Sequence, residues 1–227
     1  MTIQHLPDGT LNPAWVKERQ GKLGASKIDN ILNPLTGKPK EGKKRGAPSE
    51  MRQTLAKQLA AERFTGFSCG YANPNDQDLK RGNDLEPVAL AAYEARYGVF
   101  LEPAQWIEHP DLPFSGCTPD GIIVGEGLVQ IKAPRLGKFT SIVIDNEIPD
   151  EYIGQLTWEQ AVTRLPWTDF GIYCAEMPPG KRLWVKRYSA PIDLLAAYEE
   201  QVRIFLAEVE MYFDFLTKTD FATTEPA

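Results

Sequence analysis

Histidine and cysteine are scarce in this chain. Its 227 residues include two histidines and three cysteines, which are His5, His109, Cys69, Cys117 and Cys174. The cysteines form no Cys-x-x-Cys pair, which argues against a structural zinc site, and so few histidines argue against a histidine metal centre or a Ser-His-Asp triad. His109, in the segment EHPDLP, is predicted to be an exposed turn residue. Catalysis would therefore depend on carboxylates, lysines and oxygen-bound metal ions.

Membrane and export signals are also lacking. The sequence has no run of about 18 apolar residues, so no membrane span is predicted. The segment MTIQHLPDGT has neither the basic start nor the apolar core of a signal peptide. Scattered cysteines, odd in number, are typical of reduced thiols. These absences predict a cytoplasmic protein.

Positive charge is in deficit overall, with a net charge of −6, but it is unevenly distributed. Lys17–Arg63 holds twelve basic and five acidic residues, whereas the segment from Ser189 onward holds two basic and eight acidic residues. The basic region could bind a phosphate backbone, and the acidic C-terminal helix is expected to face away from it. Asn33–Pro48 is rich in Gly, Pro and Lys, which predicts an exposed loop carrying a basic arm at Lys38–Arg45.

Helical patterns lie on both sides of a central group of strand-like segments. Short helices are predicted after Asn12 and at KIDNIL, followed by a helix at Glu50–Phe64 with Ser49 as N-cap. A polar linker, Asn73–Lys80, precedes a helix with Asp84 as N-cap, Pro87 in its first turn and Gly98 at its end. Later helices are predicted at DEYIGQLTWEQAVTR and from Pro191 to Leu216.

The strand-like segments are short, rich in β-branched residues and bounded by Gly or Pro. They are VFLEPAQWI, GIIVG, LVQIKAP, TDFGIYCAE and RLWVKRY. The order predicts an α/β fold with a central mixed β-sheet flanked by α-helices. We expect one domain over 1–227, with a basic N-terminal region at about 13–65, a core at about 79–190 and a C-terminal helix at about 191–217.

Polar residues converge at the centre of the chain. Nine residues separate Asp120 from Gln130, and Lys132 follows two positions later. A hairpin through Gly125–Gly127 would place Gln130 and Lys132 on one strand face, within reach of Asp120. Oxygen ligands beside an ammonium suit a hard divalent cation and the hydrolysis of a phosphodiester. A hairpin with solvated polar residues remains the alternative at this point.

Five segments in order resemble the lambda-exonuclease/YqaJ family of phage recombination nucleases. They are WVKERQGKLGAS, RGNDLEP, CTPDG, LVQIKAP and YIGQLTWEQAVTR. The resemblance covers most of the chain and implies a PD-(D/E)xK-type site on a restriction-endonuclease-like core. It also implies a chain of phage or prophage origin that acts in the bacterial cytoplasm.

The resemblance assigns six positions to the metal site. The ligands that it implies for Mg²⁺, or Mn²⁺ in its place, are Asp120, Gln130, Glu86 and the backbone carbonyl of Ile131. Two ions would be held at each site. Lys132 would assist the attacking water, and Gln155 would support the site from its helix. Glu86 could instead be an ordinary first-turn acid of its helix, and Gln155 a surface residue.

Five further positions match DNA contacts of the family. Arg19, Ser26 and Thr118 would form a pocket for the 5′-phosphate, Leu79 would be an apolar wedge at the terminal base pair, and Lys138 would follow the backbone. Each has an ordinary alternative, such as a solvated helix position for Arg19, a helix cap for Ser26 or a core position for Leu79.

Two positions depart from the family pattern. Gln130 stands where the family has a metal-binding Glu, and Ala133 stands where it usually has Cys. An amide oxygen carries no negative charge and binds a hard cation more weakly than a carboxylate. Gln130 is therefore either an inactivating replacement or a residue that the enzyme tolerates, and the sequence leaves both open.

The resemblance implies a processive 5′→3′ exonuclease that degrades one strand of linear double-stranded DNA from 5′-phosphorylated ends. Its expected role is recombination by strand annealing, as a ring-shaped homotrimer with a single-strand annealing protein as partner. Two alternatives are another nuclease of this site class, either an endonuclease or a RecB-like module, and a catalytically impaired DNA-end-binding protein.

Overall fold

A computed structural model of the protein describes residues 12–32, 49–70 and 77–221, without the side chains of Asp78 and Leu79. The helices are α1 (Pro13–Arg19), α2 (Ile28–Leu32), α3 (Glu50–Thr65), α4 (Gln77–Tyr97), α5 (Leu136–Asp145), α6 (Asp150–Thr163) and α7 (Ile192–Lys218). The strands are β1 (Leu23–Gly24), β2 (Ile107–Glu108), β3 (Ser115–Cys117), β4 (Gly121–Ile123), β5 (Gly127–Lys132), β6 (Thr168–Tyr173) and β7 (Leu183–Tyr188). The predicted arm at 33–48 lies outside the described residues.

The central sheet has four strands in the order β4-β5-β6-β7. Strands β4 and β5 form the antiparallel hairpin that the sequence predicted, with Gly125 at φ +73° in its turn. Strand β5 then pairs in parallel with β6, and β6 pairs antiparallel with β7. The predicted mixed sheet is therefore confirmed.

Helices cover both faces of this sheet. Val129 and Ile131 of β5 pack with Ala89 and Tyr93 of α4 on one face. On the other face, Phe170 packs with residues of α5 and α6. Because side chains alternate along a strand, Gln130 and Lys132 point away from the α4 face and towards α6.

A small second sheet holds the N-terminal region against the core in the order β1-β3-β2. Strand β1 pairs in parallel with β3, which places Gly24 opposite Gly116. A Cβ at Gly116 would lie 2.2 Å from the carbonyl oxygen of Ile107, so only glycine fits there without movement. This close approach lets β2 pack against β3, two residues before Thr118.

Helix α4 corrects two predictions. The sequence placed an N-cap at Asp84 and a linker up to Lys80, but the helix begins at Gln77 and contains Pro87 in its interior. A proline inside a helix removes one backbone hydrogen bond and costs about 3 kcal/mol. The turns before Pro87 are held by Arg81, which donates to the carbonyl of Ala133 and forms an ion pair with Glu176. The predicted end at Gly98 is confirmed, since Gly98 has φ +66° and its N–H donates to Glu94.

The predicted strand VFLEPAQWI is mostly wrong. This segment contributes an isolated bridge between Glu102 and Ile122, and Ile107 begins the short strand β2. Pro103 follows Glu102 and has no N–H to donate, so the pairing does not extend along the segment.

The prediction that His109 is an exposed turn residue is also wrong. The ring is 3% exposed and stacks on Trp158 at 5.2 Å between centroids. Its Nδ1 accepts hydrogen bonds from the N–H groups of Asp111 and Leu112, and its Nε2 lies 3.2 Å from Glu199. The histidine thus satisfies the backbone of a turn that packs against the core, which residue type alone did not indicate.

The long predicted C-terminal helix is confirmed as α7, which packs against α3 and α6. Ser49 caps α3 as predicted, accepting the N–H of Arg52 at 3.1 Å. Within the described ranges, the molecule has no helix that is both long and apolar enough to cross a membrane.

Candidate active site

The β4–β5 hairpin brings Asp120 and Gln130 into direct contact. Oδ2 of Asp120 accepts two hydrogen bonds at 2.7 Å, one from Nε2 of Gln130 and one from the backbone N–H of Ile131. Gln130 is 3% exposed, so this contact is shielded from solvent. The two side chains that the sequence placed together at the centre of the site do meet.

Charged groups from two elements surround Asp120. Burial raises the pKa of Asp120, and Lys132 at the end of β5 partly offsets this. Burial also raises the pKa of Glu86 on α4 to about 7, and the nearby carboxylate of Asp120 adds to the effect. Two carboxyl groups thus share a poorly hydrated region with one lysine, an arrangement that a bound cation would stabilise.

A divalent metal ion fits this set of donors. Oε1 of Gln130 is buried and has no hydrogen-bond partner, although its Nε2 is bonded to Asp120. An acceptor left in this way costs stability unless a cation or a donor reaches it. Among the described residues there is no cluster of three or more His, Cys, Asp or Glu that could hold a metal ion. An amide and a backbone carbonyl would therefore have to complete a site built on Asp120 and Glu86.

Helix α6 contributes a buried carboxylate that the sequence analysis missed. Gln155, the predicted supporting residue, donates through Nε2 to Oε1 of Glu159 at 2.8 Å. Glu159 has no exposed surface, and its Oε2 is buried without a hydrogen-bond partner. Its pKa is raised to about 8, chiefly by burial and also by the charge of Asp120, while the hydrogen bond from Gln155 and the charge of Lys132 partly offset the rise. The i, i+4 spacing from Gln155 on a helix that packs against the site was the available signal.

Arg19 and Thr118 also meet. A guanidinium nitrogen of Arg19 donates to Oγ1 of Thr118 at 2.6 Å, and the guanidinium carbon lies 4.0 Å from the ring centre of Trp15. Ser26 lies exposed in a short 3-10 turn after β1, and the β1–β3 pairing places that turn beside the end of β3. The structure therefore joins two of the three predicted phosphate-binding residues directly and brings the third to the same edge.

The other two predicted DNA contacts, Lys138 and Leu79, lie on helices outside the β4–β5 hairpin. Lys138 on α5 forms an ion pair with Glu151 and lies 5.1 Å from the ring centre of Tyr152. Leu79 lies on α4, but its side chain falls outside the described residues, as does the basic arm at 38–45.

The comparisons with known proteins show the family of the chain. Residues 14–166 match the model of the YqaJ-like viral recombinase domain. The chain belongs to this family. The predicted resemblance is therefore confirmed over a segment that contains Arg19, Glu86, Asp120 and Gln155.

Solved structures extend the match to the fold. An alkaline exonuclease from Laribacter hongkongensis, LHK-Exo, has a TM-score of 0.77 and 27% identity, over 90% of this chain and 96% of that chain. The structure of LHK-Exo in complex with dAMP matches equally well. A phage-related exonuclease from Haemophilus somnus has a TM-score of 0.64 and 15% identity, over 86% of this chain and 95% of that chain, which shows the fold alone. A comparison with curated protein sequences gives no significant match.

The raised pKa values predict how stability depends on pH. In the unfolded chain both glutamates lose their protons near pH 4.5, whereas the folded protein holds them up to about pH 7 for Glu86 and about pH 8 for Glu159. Metal-free protein should therefore lose stability as pH rises from about 4.5 to 8. Glu159→Gln should make this fall shallower from about pH 4.5 upward, remove it between about pH 7 and 8, and be the more stable protein above pH 8. Urea unfolding in EDTA across this pH range measures the free energy of unfolding of both proteins. Parallel curves for the wild type and Glu159→Gln would contradict the raised pKa of Glu159.

Proposed function

We propose that the chain is a Mg²⁺-dependent exonuclease that degrades one strand of linear double-stranded DNA in the 5′→3′ direction from 5′-phosphorylated ends. The observation that carries this proposal is the partly buried Asp120–Gln130 contact beside Lys132, with Oε1 of Gln130 buried and left without a partner. The Arg19–Thr118 contact adds a group suited to a terminal phosphate.

The broader class, a deoxyribonuclease, rests on the family and on the similarity to LHK-Exo. The complex of LHK-Exo with dAMP places a deoxynucleoside monophosphate on that relative. A monophosphate is the expected product when an exonuclease releases one nucleotide at a time. The arrangement of the present site is compatible with the same product.

Each residue of the site has a proposed role. Asp120, the Oε1 atom of Gln130 and the carbonyl of Ile131 would hold one divalent ion, Mg²⁺ or Mn²⁺, and Glu86 would contribute to a second. When bound, the metal supplies an activated water and stabilises charge on the phosphate. Lys132 would orient the water and offset negative charge, and Gln155 would hold the α6 side of the site in place.

End recognition gives a separate prediction. Arg19→Ala should remove the preference for 5′-phosphate over 5′-hydroxyl ends, because it deletes a charge-assisted donor worth about 1.5–3 kcal/mol, or about 10–150-fold in rate. Arg19→Lys should recover only part of the preference, since an ammonium lacks the planar donor pair. Initial digestion rates on matched duplexes with the two end types give the ratio.

The control for end recognition is Arg203→Ala, which removes an exposed arginine of α7 that pairs with Glu200. This variant should keep the wild-type ratio. An unchanged ratio in Arg19→Ala would remove Arg19 from the phosphate pocket.

Gln130 favours one competing function. If its amide weakens metal binding enough, the chain would bind DNA ends without cutting them. Two substrates separate an exonuclease, an endonuclease and an end-binding protein. One is a closed circular duplex and the other is a linear duplex labelled at either end, and both are incubated with Mg²⁺. Loss of the 5′ label from linear DNA alone supports the proposal. Cutting of the circle indicates an endonuclease, and binding without cutting indicates an end-binding protein.

The wider biological setting is proposed from the family resemblance. It includes processive digestion, a homotrimeric ring, a single-strand annealing protein as partner, a role in recombination and action in the bacterial cytoplasm. It also treats 1–227 as one nuclease domain. Light scattering at working concentration tests the trimer directly.

A further inference from the structure

Glu159 differs from the other buried glutamate of the described chain in how its oxygens are used. Glu62 is nearly buried, and its two oxygens accept backbone N–H groups, from Gly21 at 2.7 Å and from Cys69 at 2.8 Å. Glu159 is fully buried, has a single hydrogen bond from Gln155 and leaves Oε2 without a partner. Glu62 is thus satisfied as a structural residue, whereas Glu159 keeps an unsatisfied acceptor in the core.

The position of Glu159 relates it to the metal site. Lys132 and Gln130 point towards the α6 face of the sheet, and Glu159 lies on α6. Asp120 and Lys132 are close enough to act electrostatically on Glu159. Burial raises the pKa of the Cys117 thiol, just before Thr118, and the charge of Glu159 adds to that rise. Glu159, Asp120 and Lys132 therefore share one poorly hydrated region.

The charges around Asp120 matter because position 130 holds a neutral amide and not a carboxylate. A carboxylate at position 130 would bring one more negative charge towards the cation than the amide does. A fully buried carboxyl without a matched donor keeps its proton to about pH 8 in the metal-free protein, and a cation bound beside Asp120 would favour its charged form. Lys132 acts on Asp120, Glu86 and Glu159 together, which leaves an excess of carboxyl groups over cations.

We propose that Glu159 supplies from α6 the negative charge that Gln130 does not bring to the metal site, and that it strengthens divalent-cation binding at Asp120 through its electrostatic field. Glu159 is then a positioning residue and not a ligand, which agrees with the lack of a three-carboxylate cluster among the described residues. This inference rests on the proposed function, since it assumes that Asp120 binds a metal ion.

A charge exchange between positions 130 and 159 tests the proposal. Mn²⁺ binding to the full chain without DNA is measured by anaerobic titration calorimetry at about pH 8, the pKa to which burial raises Glu159, because a bound cation favours the ionised carboxylate. Glu159→Gln should weaken binding about tenfold or more, because it removes a charge from a region of low effective dielectric. The double variant Gln130→Glu/Glu159→Gln should recover affinity to within about threefold of the wild type. Gln130→Glu alone should bind Mn²⁺ at least as tightly as the wild type.

The exchange between positions 130 and 159 distinguishes an effect of the Glu159 charge from a structural role of its side chain. Gln at position 159 has nearly the shape of Glu and can still accept from Gln155, so a purely structural role would not be rescued by a new carboxylate at position 130. Glu62→Gln is the matched control, because it removes a buried carboxylate that bonds to Gly21 and Cys69, and it should keep wild-type affinity. Thermal unfolding of each variant verifies that it is folded, and Glu159→Met replaces Glu159→Gln in both arms if the latter does not fold.

The outcomes divide clearly. Wild-type Mn²⁺ affinity in Glu159→Gln, or no recovery in the double variant, overturns the inference. Asp120→Asn is included to test the underlying site. If it too binds Mn²⁺ normally, the proposed metal site itself is wrong. If it loses binding while Glu159→Gln does not, only the role of Glu159 is wrong.

Discussion

Asp120→Asn should abolish metal-dependent digestion while leaving the protein folded. Asn retains an oxygen that can accept from Gln130 and Ile131, so the local contacts of the hairpin can persist. It removes the carboxylate on which the proposed metal site is built. The loss should be at least about 10³-fold in rate, since metal activation and charge stabilisation both depend on this group. Single-turnover digestion of a 5′-phosphorylated duplex measures the effect.

A buried aspartate outside the site, Asp169, provides the control for Asp120. Asp169 on β6 accepts a hydrogen bond from Tyr93 at 2.7 Å and pairs with Arg187 at 2.8 Å. Asp169→Asn should lower stability by about 1–3 kcal/mol but leave the metal dependence of digestion unchanged. Asp120→Asn should show the reverse, with stability kept or increased and activity lost. Digestion near the wild-type rate in Asp120→Asn would remove the site from the hairpin altogether.

Local patterns predicted most of the fold because they coincided with tertiary packing. The β4–β5 hairpin and helices α3, α6 and α7 were predicted from periodicity, caps and turn residues. Helix α5 (Leu136–Asp145) was not predicted. Its segment LGKFTSIVID contains Gly137 and the β-branched run Ile142–Ile144, which disfavour a helix locally. Burial of Phe139 and Ile142 against the sheet outweighs that preference.

Pro87 also shows that a local pattern can misplace a helix, because this proline lies inside α4 and not in its first turn. A proline after an acidic residue usually marks the first turn of a helix, and the predicted N-cap at Asp84 followed from that rule. The turns ahead of Pro87 depend on Arg81, whose partners Ala133 and Glu176 lie far along the chain. Contacts of such long range are not encoded in a local pattern, so the true start of α4 could not be obtained from one.

The site was predictable where residues lie on one hairpin and not where separate elements meet. Asp120 and Gln130 are joined by a short turn, so strand alternation alone placed them together. Glu159 lies on α6, and its relation to Asp120 depends on how that helix packs against β5. Its i, i+4 spacing from Gln155 was visible in the sequence, but its complete burial and unpartnered oxygen are properties of packing that the sequence does not show.

Lys132→Met should lower the rate of digestion by about 10²–10³-fold, the usual cost of removing one preorganised charged donor. Lys132 also lowers the pKa values of Asp120, Glu86 and Glu159, which burial raises. Without the ammonium these carboxyl groups should hold their protons to higher pH. The pH at which the metal-free protein begins to bind Mn²⁺ should therefore rise, in addition to the loss of rate.

Lys132→Arg separates the two contributions of this side chain. Arginine keeps the positive charge, so the pH dependence of Mn²⁺ binding should stay near that of the wild type. Its planar, bulkier head does not place a donor where the ammonium was, so the rate should remain low. Lys186→Met, which removes a lysine of β7 that donates to the carbonyl of Asn146, is the control and should alter neither property. If Lys132→Met digests DNA within about threefold of the wild-type rate, the ammonium takes no part in the reaction. A threefold change corresponds to less than about 1 kcal/mol in activation free energy.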